Sequence, residues 1–296
     1  MNQNTTGQMP YRLVKQVRGN EVLRKSFMEL AMKTFSLNFR RWCEDGYWTE
    51  RYIPYVLADG DRVIANVSVN RMDMLWRGQA KQYIQIGTVM TDEAYRGKGL
   101  SKFLIETVLH DWKDRCDAIY LFANRTVLDF YPKFGFVKAV EHQQSFSLAP
   151  QPGDFQKLDM QNERHRQLLL DCYHLANPYS QFQMVSNDGL LMFYCTGFMK
   201  DCVFYSQQHN AVVVAQQEGD ALYCHDVFGT PRISLQNLLA QAAGEQTRRV
   251  ILGFSATEDL GRLEAVCEED DKLFVYGAKE NLFCQEKIMF PFLSHA

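Results

Sequence analysis

The sequence predicts a mixed α/β protein whose two halves repeat one order of elements, and three observations carry this. An apolar run, Tyr83-Ile84-Gln85-Ile86-Gly87-Thr88-Val89-Met90, leads through the turn Arg96-Gly97-Lys98-Gly99-Leu100-Ser101 into a helical pattern. In that pattern Leu100, Phe103, Leu104, Val108 and Trp112 recur at the spacing that puts an apolar stripe on one helix face. Upstream, Tyr55–Ala58 and Val63–Val69 flank Asp59-Gly60, a strong hairpin signal. After Pro150-Gln151-Pro152-Gly153-Asp154, which suits neither sheet nor helix interiors, a strand, strand, helix, strand order returns.

The elements follow in turn. Tyr11 to Val17 can form a first strand, and Glu21 to Leu37 shows helical spacing at Val22, Leu23, Phe27, Leu30, Ala31, Met32 and Phe35. The hairpin, the Tyr83 strand and the Leu100 helix come next, then a strand at Ile119–Ala123 and a helix at Tyr131. Val137 to Leu148 closes the unit as another strand, giving a first domain over 1–149. Within 154–296, Ala211–Ala215 and Ala221–Cys224 flank Glu218-Gly219-Asp220 as a second hairpin. Ser234 has the character of an N-cap for Leu235, Leu238, Leu239 and Ala242, with Gly244 as the stop. Val250–Phe254 and Leu273–Tyr276 supply later strands. The turn in this half, Phe228-Gly229-Thr230-Pro231-Arg232-Ile233-Ser234, lacks two closely spaced glycines, and Pro231 removes a donor. The second domain, 154–296, is therefore read as a degenerate copy of the first, against the alternative of an unrelated α/β domain.

Composition narrows the class. A chain of 296 residues is long for one domain and natural for two. With 46% hydrophobic and 23% charged residues it has the balance of a soluble globular protein. No apolar run approaches the roughly 20 residues of a membrane helix. The stretch Met1 to Pro10 carries no secretory signature and reads as a disordered lead-in, so a cytoplasmic protein is expected. The 8 cysteines include no Cys-x-x-Cys pair and are expected to be reduced, mostly buried thiols. Neither they nor the 7 histidines cluster at ligand spacing, so no metal is expected. A net charge of −3 argues against a broad nucleic-acid surface.

The glycine turn carries the chemistry. Glycines remove side chains where backbone N–H groups can converge, and a helix's first turn leaves such donors unpaired, so a diphosphate fits there. The run is too short for a P-loop, and Lys102 stands where the dinucleotide fingerprint needs a third glycine. Arg96, Gly99 and Ser101 hold the fixed places of Arg/Gln-x-x-Gly-x-Gly/Ala, so the turn resembles the acyl-CoA pyrophosphate loop of the GNAT N-acetyltransferases. Serine in the last place is a small departure that adds a hydroxyl. A second segment strengthens the likeness. Leu121-Phe122-Ala123-Asn124 followed by Val127 to Phe136, with Tyr131 and Gly135-Phe136, resembles that family's Asn…(Phe/Leu)-Tyr-x-x-x-Gly-Phe segment. The resemblance covers about residues 10 to 148.

That resemblance implies the mixed-sheet acyl-CoA N-acyltransferase fold, in tandem, with the second copy degenerate. It implies transfer of an acetyl group from acetyl-CoA to an amine of a small molecule or protein, by direct attack in a ternary complex. The alternative is a non-catalytic acyl-CoA-binding or regulatory module. In this fold the fourth strand splays from the fifth. Thr88, Val89, Met90 and Thr91 would then pair with the pantetheine arm, while the N–H groups of Arg96, Gly97, Lys98, Gly99, Leu100, Ser101 and Lys102 would hold the pyrophosphate. Tyr131 matches the family tyrosine that protonates the departing thiolate; packing among Phe130, Phe134 and Phe136 is the other reading. Asn124 would cap the following helix or touch the pantetheine arm. No general base is legible, because the fourth strand offers Gln85 and Thr88 but no acid before Asp92 and Glu93. Trp42, Glu44, Asp45, Tyr47, Trp48, Glu50 and Tyr52 are expected to line the acceptor entrance, where acids among aromatics suit a cationic amine. Partners beyond acetyl-CoA and an amine acceptor are not implied; self-association is left open.

Overall fold

The computed structural model describes residues 10–267, 270–277 and 281–296, so positions 1–9 of the expected lead-in lie outside the described residues. Its contacts separate two compact units, Met1–Asn70 with Ile86–Trp112, and Arg71–Gln85 with Lys113–Ala296. The chain passes from one to the other inside two of its strands.

The first unit begins with β1 (Arg12–Lys15), α1 (Glu21–Phe35), α2 (Arg40–Glu44) and β2 (Tyr52–Asp59). It continues through β3 (Arg62–Trp76) and β4 (Gln79–Thr91) to α3 (Leu100–Trp112). Strand β1 pairs antiparallel with β2, from Arg12 opposite Ala58 to Lys15 opposite Tyr55. β2 and β3 form the expected hairpin, and Gly60 closes it at φ +59°. Helix α1 starts where Asn20 accepts a hydrogen bond from the Leu23 N–H, and it buries Leu23, Phe27, Leu30 and Ala31. Helix α3 buries Leu100, Leu104, Ile105, Val108 and Leu109. Its last turn is tied to the sheet, because Asp111 accepts from Lys15 Nζ (2.5 Å) and from the Tyr55 hydroxyl (2.8 Å).

The second unit adds β5 (Ala118–Ala123), β6 (Val137–Lys138), β7 (His142–Ser147), β8 (Gln156–Lys157), α4 (Glu163–Tyr173), β9 (Ser180–Val185), α5 (Asp188–Thr196) and β10 (Val203–Ser206). Then come β11 (Ala211–Glu218), β12 (Ala221–Gly229), α6 (Leu235–Ala242), β13 (Arg249–Leu252), β14 (Ser255–Ala256), β15 (Arg262–Ala265) and β16 (Lys272–Gly277). In this unit the opening of β4 runs parallel to β5, Tyr83 opposite Ala118 and Gln85 opposite Tyr120. A separate sheet has the order β15-β7-β13-β12-β11-β10-β8. There the β11–β12 hairpin, helix α6 and parallel β13 repeat the order β3–β4, α3, β5. Parallel pairing runs from Ala221 opposite Arg249 to Cys224 opposite Leu252, and just beyond it the β11 register shifts, leaving His225 as an extra residue in β12. This is the mixed α/β arrangement, with a second copy, that the sequence implies.

Three expectations are corrected. The strand expected over Val137–Leu148 breaks at 139–141: β6 pairs with β16, whereas β7 enters the other sheet beside β13 and β15. Strand β16, expected in the second half's sheet, lies antiparallel between β5 and β6. Alternation signals a strand but not its partner, and the two halves exchange strands here. The helix expected at Tyr131 is a single 3-10 turn, Tyr131–Phe134, in which Pro132 cannot donate and Gly135 ends the turn at φ +93°.

Candidate functional site

At the glycine turn, Asp92 is buried and anchors the approach. Its carboxylate accepts from Arg62 Nη2 (2.7 Å) and from the Ala94 N–H (3.1 Å), opening a 3-10 turn over Glu93–Tyr95. The Arg62 guanidinium holds the Asp92 carboxyl below its usual range, against the opposing effect of burial. Gly97 and Gly99 then adopt φ +77° and +74°, the left-handed region that a side chain disfavours. A Cβ built on either meets nothing within 4 Å. The first backbone bond of α3 from this stretch is Phe103 N–H to the Gly99 carbonyl (3.0 Å). Among the described residues the N–H groups of Gly97 to Lys102 have no acceptor, at a helix N-terminus where both glycines have open space beside them. Lys98 lies 4.5 Å over the Tyr95 ring, and Lys102 is within 3.8 Å of Glu106. Arg96 is exposed and 3.9 Å from Glu93. Ser101, the departure in the motif, spends its hydroxyl on Thr91 Oγ1 at 2.8 Å, joining β4 to α3.

β4 is distorted just before this. Thr88 sits at φ +46°, an outlier for a β-branched residue that costs about 1–3 kcal/mol. A closed ring of side chains surrounds it. Asn66 Nδ2 donates to the Thr88 carbonyl (2.7 Å) and to Ser68 Oγ (2.9 Å). Ser68 Oγ donates to the Tyr52 hydroxyl (2.9 Å), which meets Thr88 Oγ1 at 2.9 Å. In the Tyr52–Thr88 pair either hydroxyl can donate. Burial pushes Tyr52 up to about 12, although both hydrogen bonds oppose the shift. Asn66 Oδ1 and Asn70 Nδ2 are buried and have no hydrogen-bond partner among the described residues. Thr88 and Val89 are half-buried, Met90 is buried, and Thr91 is half-buried.

The segment expected at the acceptor entrance divides. Trp42, Trp48 and Tyr52 are buried with Phe27 and Phe39, their ring centroids 5.4–6.2 Å apart in the closest pairs. Its acids face solvent: Asp45 pairs with Arg41, Glu50 with Arg18, and Glu44 is exposed. A groove of about 770 Å³ lies elsewhere in this unit, lined by Lys25, Lys33, Asp59, Arg62 and Asp92 among others; none of the glycine-turn residues borders it.

In the second unit, Tyr131 is buried with ring centroids of Phe130, Phe136 and Phe274 at 5.3, 6.0 and 6.2 Å. Its hydroxyl has no hydrogen-bond partner among the described residues, and burial raises it to about 12. The phenol thus stays protonated through the neutral range. Phe130 and Phe134 are only half-buried, so the surrounding aromatic shell is thinner than a full core. Asn124 caps no helix. It is exposed and accepts from the Thr126 N–H (3.0 Å) and Thr126 Oγ1 (2.6 Å), a local turn. Gln85 donates to a main-chain oxygen of Ala296 (3.1 Å), Tyr120 to the carbonyl of Ser294 (3.3 Å) and Tyr194 to that of His295. Sequence reasoning did not foresee that Gln85 is spent on this segment.

The corresponding turn of the second copy is closed. A Cβ at Gly229 would stand 2.2 Å from the Asn210 carbonyl oxygen, and the Thr230 N–H donates to that same oxygen (3.1 Å). Ser234 caps α6 through the Asn237 N–H (3.3 Å). Here the Gly229 N–H donates to the Ala176 carbonyl (3.2 Å), and the space beside the glycine that is open at Gly97 and Gly99 is filled.

Comparisons with known proteins bear on the fold. Residues 20–139 match the family model of an acetyltransferase (GNAT) domain. A search of curated proteins returns no significant match. Among solved structures, a probable N-acyltransferase from Enterococcus faecalis aligns at TM-score 0.60 with 13% identity, over 92% of this chain and 73% of that one. Eis1 from Mycobacterium abscessus gives 0.60 and 12%, over 92% and 74%. A GCN5-related N-acetyltransferase from Kribbella flavida gives 0.56 and 16%, over 90% and 72%. At these identities the likeness is one of fold, and it extends across both halves. The chain shares the mixed α/β fold of these N-acetyltransferase structures, and its residues 20–139 match the model of the GNAT acetyltransferase domain.

Proposed function

We propose that this protein is an acetyl-CoA-dependent N-acetyltransferase acting on an amine of a small molecule or protein. The observation that carries the reading is the run of unpaired N–H groups over Gly97–Lys102, beside two left-handed glycines with open space around them at the start of α3. A pyrophosphate supplies the acceptors these donors lack. Arg96, Lys98 and Lys102 add positive charge, and Val89, Met90 and Thr91, beyond the Thr88 distortion, pair with the pantetheine arm. Asn124 lies exposed on the strand-end turn after β5, and its proposed contact with the donor is made through its free N–H₂.

In the reaction a neutral amine nitrogen attacks the thioester carbonyl carbon, the C–S bond breaks, and Tyr131 gives its proton to the departing sulfur. An unpartnered phenol held protonated by burial suits that role. The amine's proton leaves to a base that we do not assign. A second reading, a non-catalytic acyl-CoA-binding module, is favoured by one observation: Gln85, at the end of the β4–β5 pairing, is an amide engaged by a main-chain oxygen and is not itself an acid.

We further propose 1–149 as the donor domain and 154–296 as a degenerate copy that binds no CoA. The protein is proposed to be cytoplasmic, without nucleic-acid or metal partners. Among the described residues no helix is long and apolar enough to cross a membrane, and no group of three potential ligands could hold a metal. The test is an amine panel with acetyl-CoA, following free thiol release. Amine-dependent thiol release is expected. CoA binding with no release across primary amines, polyamines and peptide amines would move the reading to the binding module.

A further inference from the structure

Three buried side chains hold an outlying backbone conformation, and they define a role beyond the donor contacts. Thr88 stands at φ +46°, yet its neighbours restrain it twice, once at the backbone and once at the side chain. Asn66 Nδ2 grips its carbonyl at 2.7 Å, and Tyr52 grips its hydroxyl at 2.9 Å. Ser68 closes the circuit by accepting from Asn66 and donating to Tyr52, each at 2.9 Å. Asn66 and Ser68 are fully buried and Tyr52 is 7% exposed, so water cannot substitute for any member. A β-branched residue leaves the left-handed region unless its surroundings over-determine it.

We propose that Asn66, Ser68 and Tyr52 form a lock that keeps Thr88 in its left-handed conformation, and that this lock presets β4 to receive the pantetheine arm. They are positioning residues that touch no substrate. The inference rests on the acetyl-CoA reading above. Its logic is specific: the lock is needed because residue 88 carries a β-branched side chain. Glycine at 88 occupies the same φ without strain and makes the lock dispensable.

The experiment is calorimetric titration of the full chain with CoA. Asn66→Ala and Tyr52→Phe, each in the Thr88 background, are expected to weaken binding roughly tenfold by releasing the strained conformation. Adding Thr88→Gly to either variant is expected to recover most of that loss, a rescue that a merely structural role for Asn66 or Tyr52 would not give. Far-ultraviolet circular dichroism of each variant checks that the chain is folded. Folded single variants that bind CoA as tightly as the parent would overturn the lock. Failure of Thr88→Gly to rescue would overturn it equally. A parent chain that binds no CoA would overturn the functional reading itself, and the lock with it.

Discussion

Adding one methyl group at Gly99 separates a cost to the fold from a cost to the ligand. In the free chain a Cβ at Gly99 meets nothing within 4 Å, so the penalty is that of holding alanine at φ +74°. That is about 1–2 kcal/mol. Spread over an unfolding entropy of roughly 2.1 cal/mol/K per residue in a chain of 296 residues, it lowers Tm by about 2–3 °C. The ligand cost is larger. The methyl stands in the space where the N–H groups face a pyrophosphate, and losing one charge-assisted hydrogen bond there costs about 1.5–3 kcal/mol. Gly99→Ala is therefore expected to raise the Kd for CoA roughly 10- to 150-fold. Gly219→Ala is the control, at φ +58° in the β11–β12 hairpin and with nothing within 4 Å of its Cβ. It should lower Tm similarly and leave CoA affinity alone. Differential scanning calorimetry and isothermal titration of both variants make the comparison. A Gly99→Ala chain that binds CoA within twofold of the parent refutes the pyrophosphate reading of this turn.

Three further outcomes are expected. Tyr131→Phe keeps the buried ring and removes only the proton donor, so turnover should fall roughly ten- to a thousandfold with CoA affinity little changed; unchanged turnover where chemistry limits the rate returns Tyr131 to packing. Asp226 is buried, and desolvation raises it to about 7 although Asn177 and the Val227 N–H hydrogen-bond to it. A carboxyl raised in the folded state contributes stability below its unfolded value near 4 and loses it as pH rises through 7. Asp226→Asn should accordingly raise Tm at pH 9 and change it little at pH 3.5, as thermal melts at the two values will show. Ending the chain near Pro150 removes β16 from the edge of β5 and leaves β7 without β13 and β15. Such a fragment is expected to aggregate, which light scattering during size-exclusion chromatography would report; a monodisperse monomer contradicts it.

Some of this was legible in the residues and some was not. The Asp59-Gly60 hairpin, helix α3 and the open glycine turn all follow from local chemistry, because periodicity and left-handed glycines act within a few residues of themselves. Asn66, Ser68 and Asn70 were harder. They alternate with Ala65, Val67 and Val69, which ordinarily marks a strand with one wet face, yet all three polar residues are buried. A partner across the strands, Tyr52 or Thr88, explains Asn66 and Ser68, and a sequence does not show which residues will be opposite. The same limit hid the destination of β16 and the use of Gln85. Tyr131 illustrates a different failure: Val127 to Phe136 has the aromatic content of a helix, but Pro132 and Gly135, three residues apart, leave room for one 3-10 turn. Trp42, Trp48 and Tyr52 were expected at an entrance and are interior, since interleaved acids carry no information about which side of a strand or helix the aromatics occupy.

The exchange of β7 and β16 has a consequence for how the chain must acquire its structure. Strand β5 emerges from the ribosome some 150 residues before Lys272–Gly277, which covers its edge. Strand β7 must in turn wait for Arg249–Leu252 and Arg262–Ala265. Each of these pairings joins a strand made early to strands made more than 100 residues later. Loop closure over such separations is paid before any pairing rewards it, which slows folding and prolongs exposure of unpaired edges. Mutations in Lys272–Gly277 should therefore depress yield more than their effect on the stability of the finished protein, making this short strand the point at which synthesis and misfolding compete.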